Sequence, residues 1–110
     1  MLVYKQRRSQ RVILDVPLLV RGENEHKQAF QEDAMALIVN AHGALVILEA
    51  RVTLGQKVIV MNVKNGDERE GTVAFVSSAY AGLARVGIQF DRAAPDFWSL
   101  SSPPTDWNPS

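Results

Sequence analysis

The sequence has no cysteine and only two histidines among its 110 residues. It therefore has no disulfide, no thiolate ligand for a metal and no cysteine nucleophile. His26 and His42 each lack a second histidine three or four positions away, which is the spacing of common zinc sites. Glycine-rich phosphate loops and the hydrolase nucleophile elbow are missing too. These absences favour a domain that binds a molecule over an enzyme, and they predict no metal and no cofactor.

Long apolar segments are also missing. The longest unbroken apolar runs are residues 34–39 and 44–48, far shorter than the roughly 20 residues of a membrane-spanning helix. The first basic residues follow a short apolar start, whereas a secretory signal has the opposite order. At this length one domain is expected. We predict a soluble, cytoplasmic domain with no membrane insertion.

The chain has no excess of either charge, with 12 Lys and Arg against 12 Asp and Glu. This balance argues against a protein that coats DNA. The charges are nevertheless segregated, because residues 1–22 carry a local charge of +4 and residues 23–50 one of −4. The zero sum is therefore a cancellation, and a local basic segment remains available to bind one small anion.

Alternation of apolar and polar residues predicts β-strands. It is clearest from Val12 to Val20 and from Ala84 to Phe90, and further β-rich runs lie between them: KQAFQE, ALIVN, ALVILEA, KVIVMNV and GTVAFVSS. Six or seven strands are predicted, which is typical of an antiparallel barrel or sandwich.

Two details refine this pattern. Pro17 suggests an edge strand or a bulge within the first run. Asn65-Gly66 is a strong signal for a hairpin turn. The carboxylate pair Glu32-Asp33 is assigned to a solvated turn.

Two short segments carry candidate binding residues. Arg7, Arg8 and Arg11 lie within five residues, and each arginine offers a planar donor fork for phosphate or for the O6/N7 edge of guanine. A solvated basic tail is the ordinary alternative. The turn Asn40-Ala41-His42-Gly43 adds polar groups and a glycine that permits close backbone approach. An ordinary hairpin is the alternative there.

Together these segments resemble the PilZ domain family. The resemblance rests on Arg7-x-x-x-Arg11, on the turn VNAHGALVIL and on the late run ARVGIQFD, in that order over residues 7–92. The family pattern is RxxxR, then (D/N)xSxxG, then VGxxF. The resemblance implies a six-stranded antiparallel β-barrel of PilZ type with a short irregular or helical C-terminal tail. It also implies binding of cyclic di-GMP, with Arg7 and Arg11 as the clamp and Arg8 as a helper. Asn40, His42 and Gly43 would contact the rest of the ligand.

The central motif departs from the family pattern, because Ile38 occupies the Asp/Asn position and Asn40 the Ser position. The Ile38 side chain makes no polar contact, so one base contact is missing unless His42 or another group supplies it. The alternative function is therefore a degenerate PilZ adaptor that binds only protein. Phe97, Trp98 and Trp107 would either fold back onto one barrel end or form an exposed docking patch for that partner.

These observations give a domain organisation and a list of partners. Residues 1–10 are assigned to a flexible basic arm, 11–92 to the barrel and 93–110 to a tail rich in proline and tryptophan. The expected partners are cyclic di-GMP and an unidentified protein effector in bacterial second-messenger signalling, with no DNA. A homodimer is left open.

Overall fold

The computed structural model describes residues 12–98 of the chain, with side chains from residue 16 onward. This part of the chain forms six β-strands and one 3-10 turn. In chain order they are β1 (Val12–Glu23), β2 (Ala29–Asn40), β3 (Gly43–Leu48), β4 (Lys57–Asn62), β5 (Glu68–Val76), β6 (Ala84–Phe90) and the turn Pro95–Trp98. The predicted all-β fold with six strands and a short helical segment after them is confirmed.

The strands close into a barrel in the order β1-β2-β3-β6-β5-β4, and every pair is antiparallel. β1 closes the barrel because it pairs with β2 on one side and with β4 on the other. Leu18, for example, lies opposite Ala34 of β2 and Asn62 of β4. Each of the six strands therefore has two neighbours, and none of them presents a free edge. The strand pattern predicted either an antiparallel barrel or a sandwich, and the structure is a barrel.

Alternate residues of each strand fill the barrel interior, as the pleat of a strand requires. On β1 the buried residues are Val16, Leu18 and Val20, and on β6 they are Val86, Ile88 and Phe90. These residues belong to the two alternating runs of the sequence. Further core residues come from the other strands and the C-terminal segment: Ala36, Val39, Val46, Leu48, Val58, Val60, Val73, Phe97 and Trp98.

The second strand differs from its prediction. The runs KQAFQE and ALIVN were expected to be separated by a turn at Glu32 and Asp33, but β2 is continuous from Ala29 to Asn40. The Glu32 carboxylate accepts hydrogen bonds from the backbone N–H groups of Glu49 (2.6 Å) and Ala50 (2.9 Å). The turn prediction was wrong because this carboxylate binds the end of the neighbouring strand.

Pro17 belongs to β1, a strand with neighbours on both sides in the closed barrel, and it pairs with Met35 of β2. The register of β1 against β2 shifts between Ile13 and Val16, immediately before the proline. The sequence offered two interpretations of Pro17, a bulge and an edge strand. The bulge is confirmed, and the edge-strand interpretation was wrong.

Two tight turns shape the loops that connect to β5. Asn65 Oδ1 accepts a hydrogen bond from the Asp67 N–H (2.9 Å), which confirms the hairpin predicted from Asn65-Gly66. In the β5–β6 connection, Tyr80 and Leu83 exchange two backbone hydrogen bonds of 2.8 and 3.0 Å. The two residues between them have positive φ, +54° at Ala81 and +83° at Gly82.

The 3-10 turn packs its aromatic residues into the core. Phe97 and Trp98 are buried, with ring centroids 5.2 and 5.8 Å from that of Phe90. The buried Asn62 donates from Nδ2 to the Phe97 carbonyl oxygen (2.7 Å). The prediction that Phe97 and Trp98 fold back onto the barrel is confirmed, whereas Trp107 lies outside the described residues. No helix within residues 12–98 has the length and apolarity needed to span a bilayer.

Candidate functional site

The turn between β2 and β3 is held by hydrogen bonds from both sides. Asn40 Oδ1 accepts from the His42 N–H (2.7 Å), an Asx-type contact that closes the turn. The backbone oxygen of His42 accepts from the Phe90 N–H (2.7 Å), and that of Asn40 accepts from the Trp98 indole Nε1 (2.9 Å). The turn is therefore fixed by its own side chain and by the segment that follows β6.

Gly43 begins β3 at a point where no side chain fits. A Cβ atom at this position would lie 1.9 Å from the carbonyl oxygen of Ile88 on the neighbouring strand. This distance is far below van der Waals contact, so the backbones of β3 and β6 can approach only with glycine here. The close approach predicted for Gly43 is confirmed.

A groove of about 640 Å³ runs over the outer face of the barrel beside this turn. We call it the Gly43 groove. It contains all three predicted site residues that lie in the described range, Asn40, His42 and Gly43. Its remaining lining comes from β2, β3, β5 and β6: Ile38, Val39, Ala44, Leu45, Ala74, Phe75, Arg85, Gly87, Ile88 and Gln89.

Strand register explains the shape of the Gly43 groove. Ile38, Leu45, Gly87 and Phe75 form one row across four adjacent strands, because each is paired with the next. Strands lie 4.7–4.9 Å apart, so this row spans about 14 Å. Gly87 has no side chain, and the row therefore has a low floor between Leu45 and the half-exposed Phe75.

The charge of the Gly43 groove suits an anion. Arg85 is its only charged residue among those described, since neither Asp nor Glu lines it. Within the described part of the chain the Arg85 guanidinium forms no ion pair. Its five N–H donors are therefore not engaged by a carboxylate, which leaves them free for a ligand.

A second groove, of about 680 Å³, lies elsewhere on the barrel and includes Arg21, Glu23, Phe30, Lys57 and Glu70. Its two cations are already paired. Arg21 binds Glu68 at 2.7 Å, which raises the pKa of Arg21 and lowers that of Glu68, chiefly through the side-chain hydrogen bond. Lys57 binds Asp91 at 2.9 Å. With Glu23 and Glu70 on its walls as well, this groove is less suited to an anion than the Gly43 groove.

The predicted arginines Arg7, Arg8 and Arg11 lie outside the described residues. The structure does fix where the chain enters the barrel, because Val12 pairs with Val39 near the end of β2. Val39 is also one of the residues that line the Gly43 groove. The barrel therefore begins next to the candidate site.

No family model matches the sequence, and no curated protein matches it. Among solved structures, the chain is similar to the complex of MrkH from K. pneumonia with c-di-GMP, with a TM-score of 0.60 and 13% sequence identity. The similarity shows the fold. It covers 82% of this chain and 46% of MrkH, so the present chain spans about half the length of that protein.

Two residues that line the groove and are important to the proposals below, Arg85 and Phe75, were not predicted as site residues from the sequence. For Arg85 a signal existed, because Arg85, Gly87 and Gln89 are the polar half of the alternation in β6 and must share the outer face. Phe75 gave no such signal, since a register shift between Val73 and Phe75 breaks the alternation of β5. Ile38, the residue that departs from the PilZ pattern, does line the groove.

Proposed function

We propose that the protein is a non-catalytic receptor for cyclic di-GMP and that the Gly43 groove is its binding site. One observation carries the proposal. Asn40, His42 and Gly43, selected from the sequence, line the same groove as an arginine that has no carboxylate partner in the described chain. A doubly negative ligand matches that arrangement of polar groups and unpaired positive charge.

The basic N-terminal segment is close enough along the chain to complete this site. Arg11 is bonded directly to Val12, and Arg7 precedes Val12 by five residues. Five residues span at most about 18 Å, which exceeds the width of the central row of the groove. Arg7 and Arg11 can therefore reach a ligand there, with Arg8 as a helper, and would grip its phosphates and guanine edges.

The fold supports the proposal independently of the motifs. MrkH, which shares the fold, was solved as a complex with c-di-GMP. In the present chain Asn40 uses its Oδ1 to hold the turn, so its amide Nδ2 is the atom we assign to the ligand. His42 contributes an imidazole from the same turn, and Gly43 allows close approach of a ring.

The presence of Ile38 at the motif position predicts a lower affinity for cyclic di-GMP. A polar residue at this position would make one more base contact, and a good contact of that kind contributes about 1–3 kcal/mol. Its loss corresponds to roughly one to two decades in Kd. We therefore propose a receptor weaker than one with the full motif, unless a neighbouring residue replaces the contact.

The signalling role follows from the position of the arginine segment. A ligand shifts a conformational equilibrium only through contacts that differ between the states. Arg7 and Arg11 supply such contacts, so the ordering of this segment over the ligand is the proposed output. A protein effector in the bacterial cytoplasm would read that change.

Titration calorimetry with cyclic di-GMP tests the proposal. Wild-type protein at tens of micromolar should give saturable heat, and the double variant Arg7→Ala/Arg11→Ala should bind more weakly. The double variant Arg51→Ala/Arg92→Ala removes two exposed arginines that do not line the Gly43 groove and serves as the charge-matched control. An absence of heat for the wild type, or equal affinities for the two double variants, would overturn the proposal.

The apolar row of the Gly43 groove favours one alternative, a PilZ-like adaptor that binds protein and no nucleotide. Ile38, Leu45 and the half-exposed Phe75 could receive an apolar side chain of a partner. Trp98 does not contribute to this surface because it is buried. A partner captured by the wild type, lost with Phe75→Ala and indifferent to cyclic di-GMP would support the adaptor.

A further inference from the structure

Arg85 and Ile38 line the same groove but lie on strands separated by β3, because Ile38 pairs with Leu45 and Arg85 with Ile47. The PilZ pattern expects Asp or Asn at the Ile38 position, and the capacity that these two side chains share is to accept a hydrogen bond. We infer that Arg85, from β6, compensates for the missing contact by donating to the acceptor edge of a guanine base that lies over Gly87. This inference rests on the proposed function, because it assigns a ligand contact within the same groove.

The floor at Gly87 is suited to a planar ring. Gly87 lies between Leu45 and Phe75 in this row. A Cβ atom at position 87 would lie 3.1 Å from the Phe75 Cβ, and Phe75 is 48% exposed. Aromatic side chains provide stacking surfaces for bases irrespective of sequence. A purine can therefore lie along this row in contact with Phe75, at a place where any larger residue at position 87 would fill the space.

Arg85 lies two residues from Gly87 on the same strand, so both face the outer surface. Its backbone is fixed to the residue that follows β5, because the Arg85 N–H donates to Ser77 Oγ (2.9 Å) and its carbonyl accepts from the Ser77 N–H (2.9 Å). The base of the side chain is thus anchored while the guanidinium is free. Two residues of strand correspond to about 7 Å, which a long arginine side chain spans to reach the ring edge.

The chemistry of the guanidinium matches guanine. Its parallel N–H donors fit the two acceptors O6 and N7, which is the commonest specific contact of arginine with a base. Lysine keeps the charge but lacks this fork. Ile38 offers no competing polar group, and no carboxylate lines the described groove to neutralise Arg85. A compensating contact from β6 to a different edge of the base is therefore electrostatically open.

The inference is tested by titrating cyclic di-GMP into four single variants and one double variant. Arg85→Ala and Arg85→Lys should each weaken binding about 10- to 100-fold, since both remove the fork. Arg51→Ala should stay within about twofold of the wild type at equal ionic strength. Ile38→Asn restores an amide at the motif position and should raise the affinity by a similar factor in the wild type and in the Arg85→Ala background, because an accepting group at position 38 and the donating guanidinium contact different edges of the base. Circular dichroism checks that each variant is folded.

The outcomes separate the two proposals. If the wild type does not bind cyclic di-GMP, the proposed function fails and the role of Arg85 fails with it. If the wild type binds but Arg85→Ala resembles Arg51→Ala, only the role of Arg85 is overturned. If Arg85→Lys binds like the wild type, Arg85 contributes charge alone and makes no forked contact with the base. If Ile38→Asn raises the affinity only in the Arg85→Ala background, the two residues compete for one contact, and compensation through a separate edge of the base is overturned.

Discussion

Gly43 is the residue at which packing and the proposed site meet. It resembles the glycine of a ligand-binding motif, yet the short distance between a Cβ at this position and the Ile88 oxygen already requires glycine in the ligand-free fold. A glycine at this position is therefore explained by strand approach alone. Support for the proposed binding site comes instead from His42 and Arg85, and from the amide of Asn40, whose Oδ1 also holds the turn.

This reasoning predicts a large effect for Gly43→Ala. Overpacking of a close contact costs typically about 1–3 kcal/mol, and we expect a loss near 3 kcal/mol in the free energy of unfolding because the obstacle is backbone. Urea denaturation measures it. Gly55→Ala is the control, since Gly55 has φ +87° but no atom within 4 Å of the place that a Cβ would occupy, and it should cost only about 1 kcal/mol. Equal losses would contradict the steric argument.

At the scale of elements, the strands follow the sequence pattern where alternation is unbroken. β1 and β6 could be predicted because their apolar residues alternate through the part that fills the core. β2 could not be predicted as one strand, because Glu32 and Asp33 resemble a turn and a register shift between Ala36 and Ile38 interrupts the pattern. A side chain such as Glu32, which binds the backbone of residues distant in sequence, leaves no local signal.

The β5–β6 hairpin contains a residue unsuited to its conformation. A two-residue turn with positive φ at both positions favours Asn-Gly, but this turn has Ala81 before Gly82. A left-handed conformation costs a residue with a Cβ roughly 1–2 kcal/mol. Ala81→Asn should therefore raise the free energy of unfolding by about 0.5–1 kcal/mol, measured by urea denaturation.

Ala79→Asn provides the matched control for this gain. Ala79 is an exposed neighbour in the same loop, and its φ is not positive. Asparagine at position 79 relieves no strain, so the free energy of unfolding of this variant should not rise. A gain at position 79 equal to that at position 81 would show that the effect comes from polarity rather than from the turn.

At the scale of the whole molecule, closure of the barrel was beyond local sequence patterns. Alternation predicts strands, but a barrel and a sandwich share it, and closure depends on registers between strands distant along the chain. The PilZ resemblance supplied that choice. The candidate site has a local part and a part that depends on the fold. Asn40, His42 and Gly43 are close together in the sequence, whereas Arg85 and Phe75 come close to them only because the strands are arranged in the order β2-β3-β6-β5.

Surface charge links strands that are not direct neighbours. Arg21 of β1 binds Glu68 of β5 through two hydrogen bonds of 2.7 and 3.2 Å, with β4 between the two strands. The pKa of Glu68 is lowered in the folded state. The pair therefore stabilises the barrel above the ordinary pKa of a glutamate, and this contribution is lost as the pH falls through the lowered value.

The prediction is a pH-dependent difference between the wild type and Glu68→Gln. At neutral pH the variant should be slightly less stable, and the difference should shrink at an acid pH below the ordinary pKa of a glutamate and in high salt. Urea denaturation at both pH values measures it. Glu49→Gln is a control in which an exposed carboxylate that forms no ion pair among the described residues is removed. A difference that persists unchanged in acid would contradict the assignment.

The bonds that hold the β2–β3 turn have one more consequence. The carbonyl oxygens of three consecutive residues, Asn40, Ala41 and His42, accept hydrogen bonds from Trp98, Ala94 and Phe90 respectively. The turn that lines the groove is thereby tied at three points to the segment behind it, and one of these ties is an indole N–H. Indole emission depends on such a bond, so the protein carries its own fluorophore one hydrogen bond away from the proposed ligand contact.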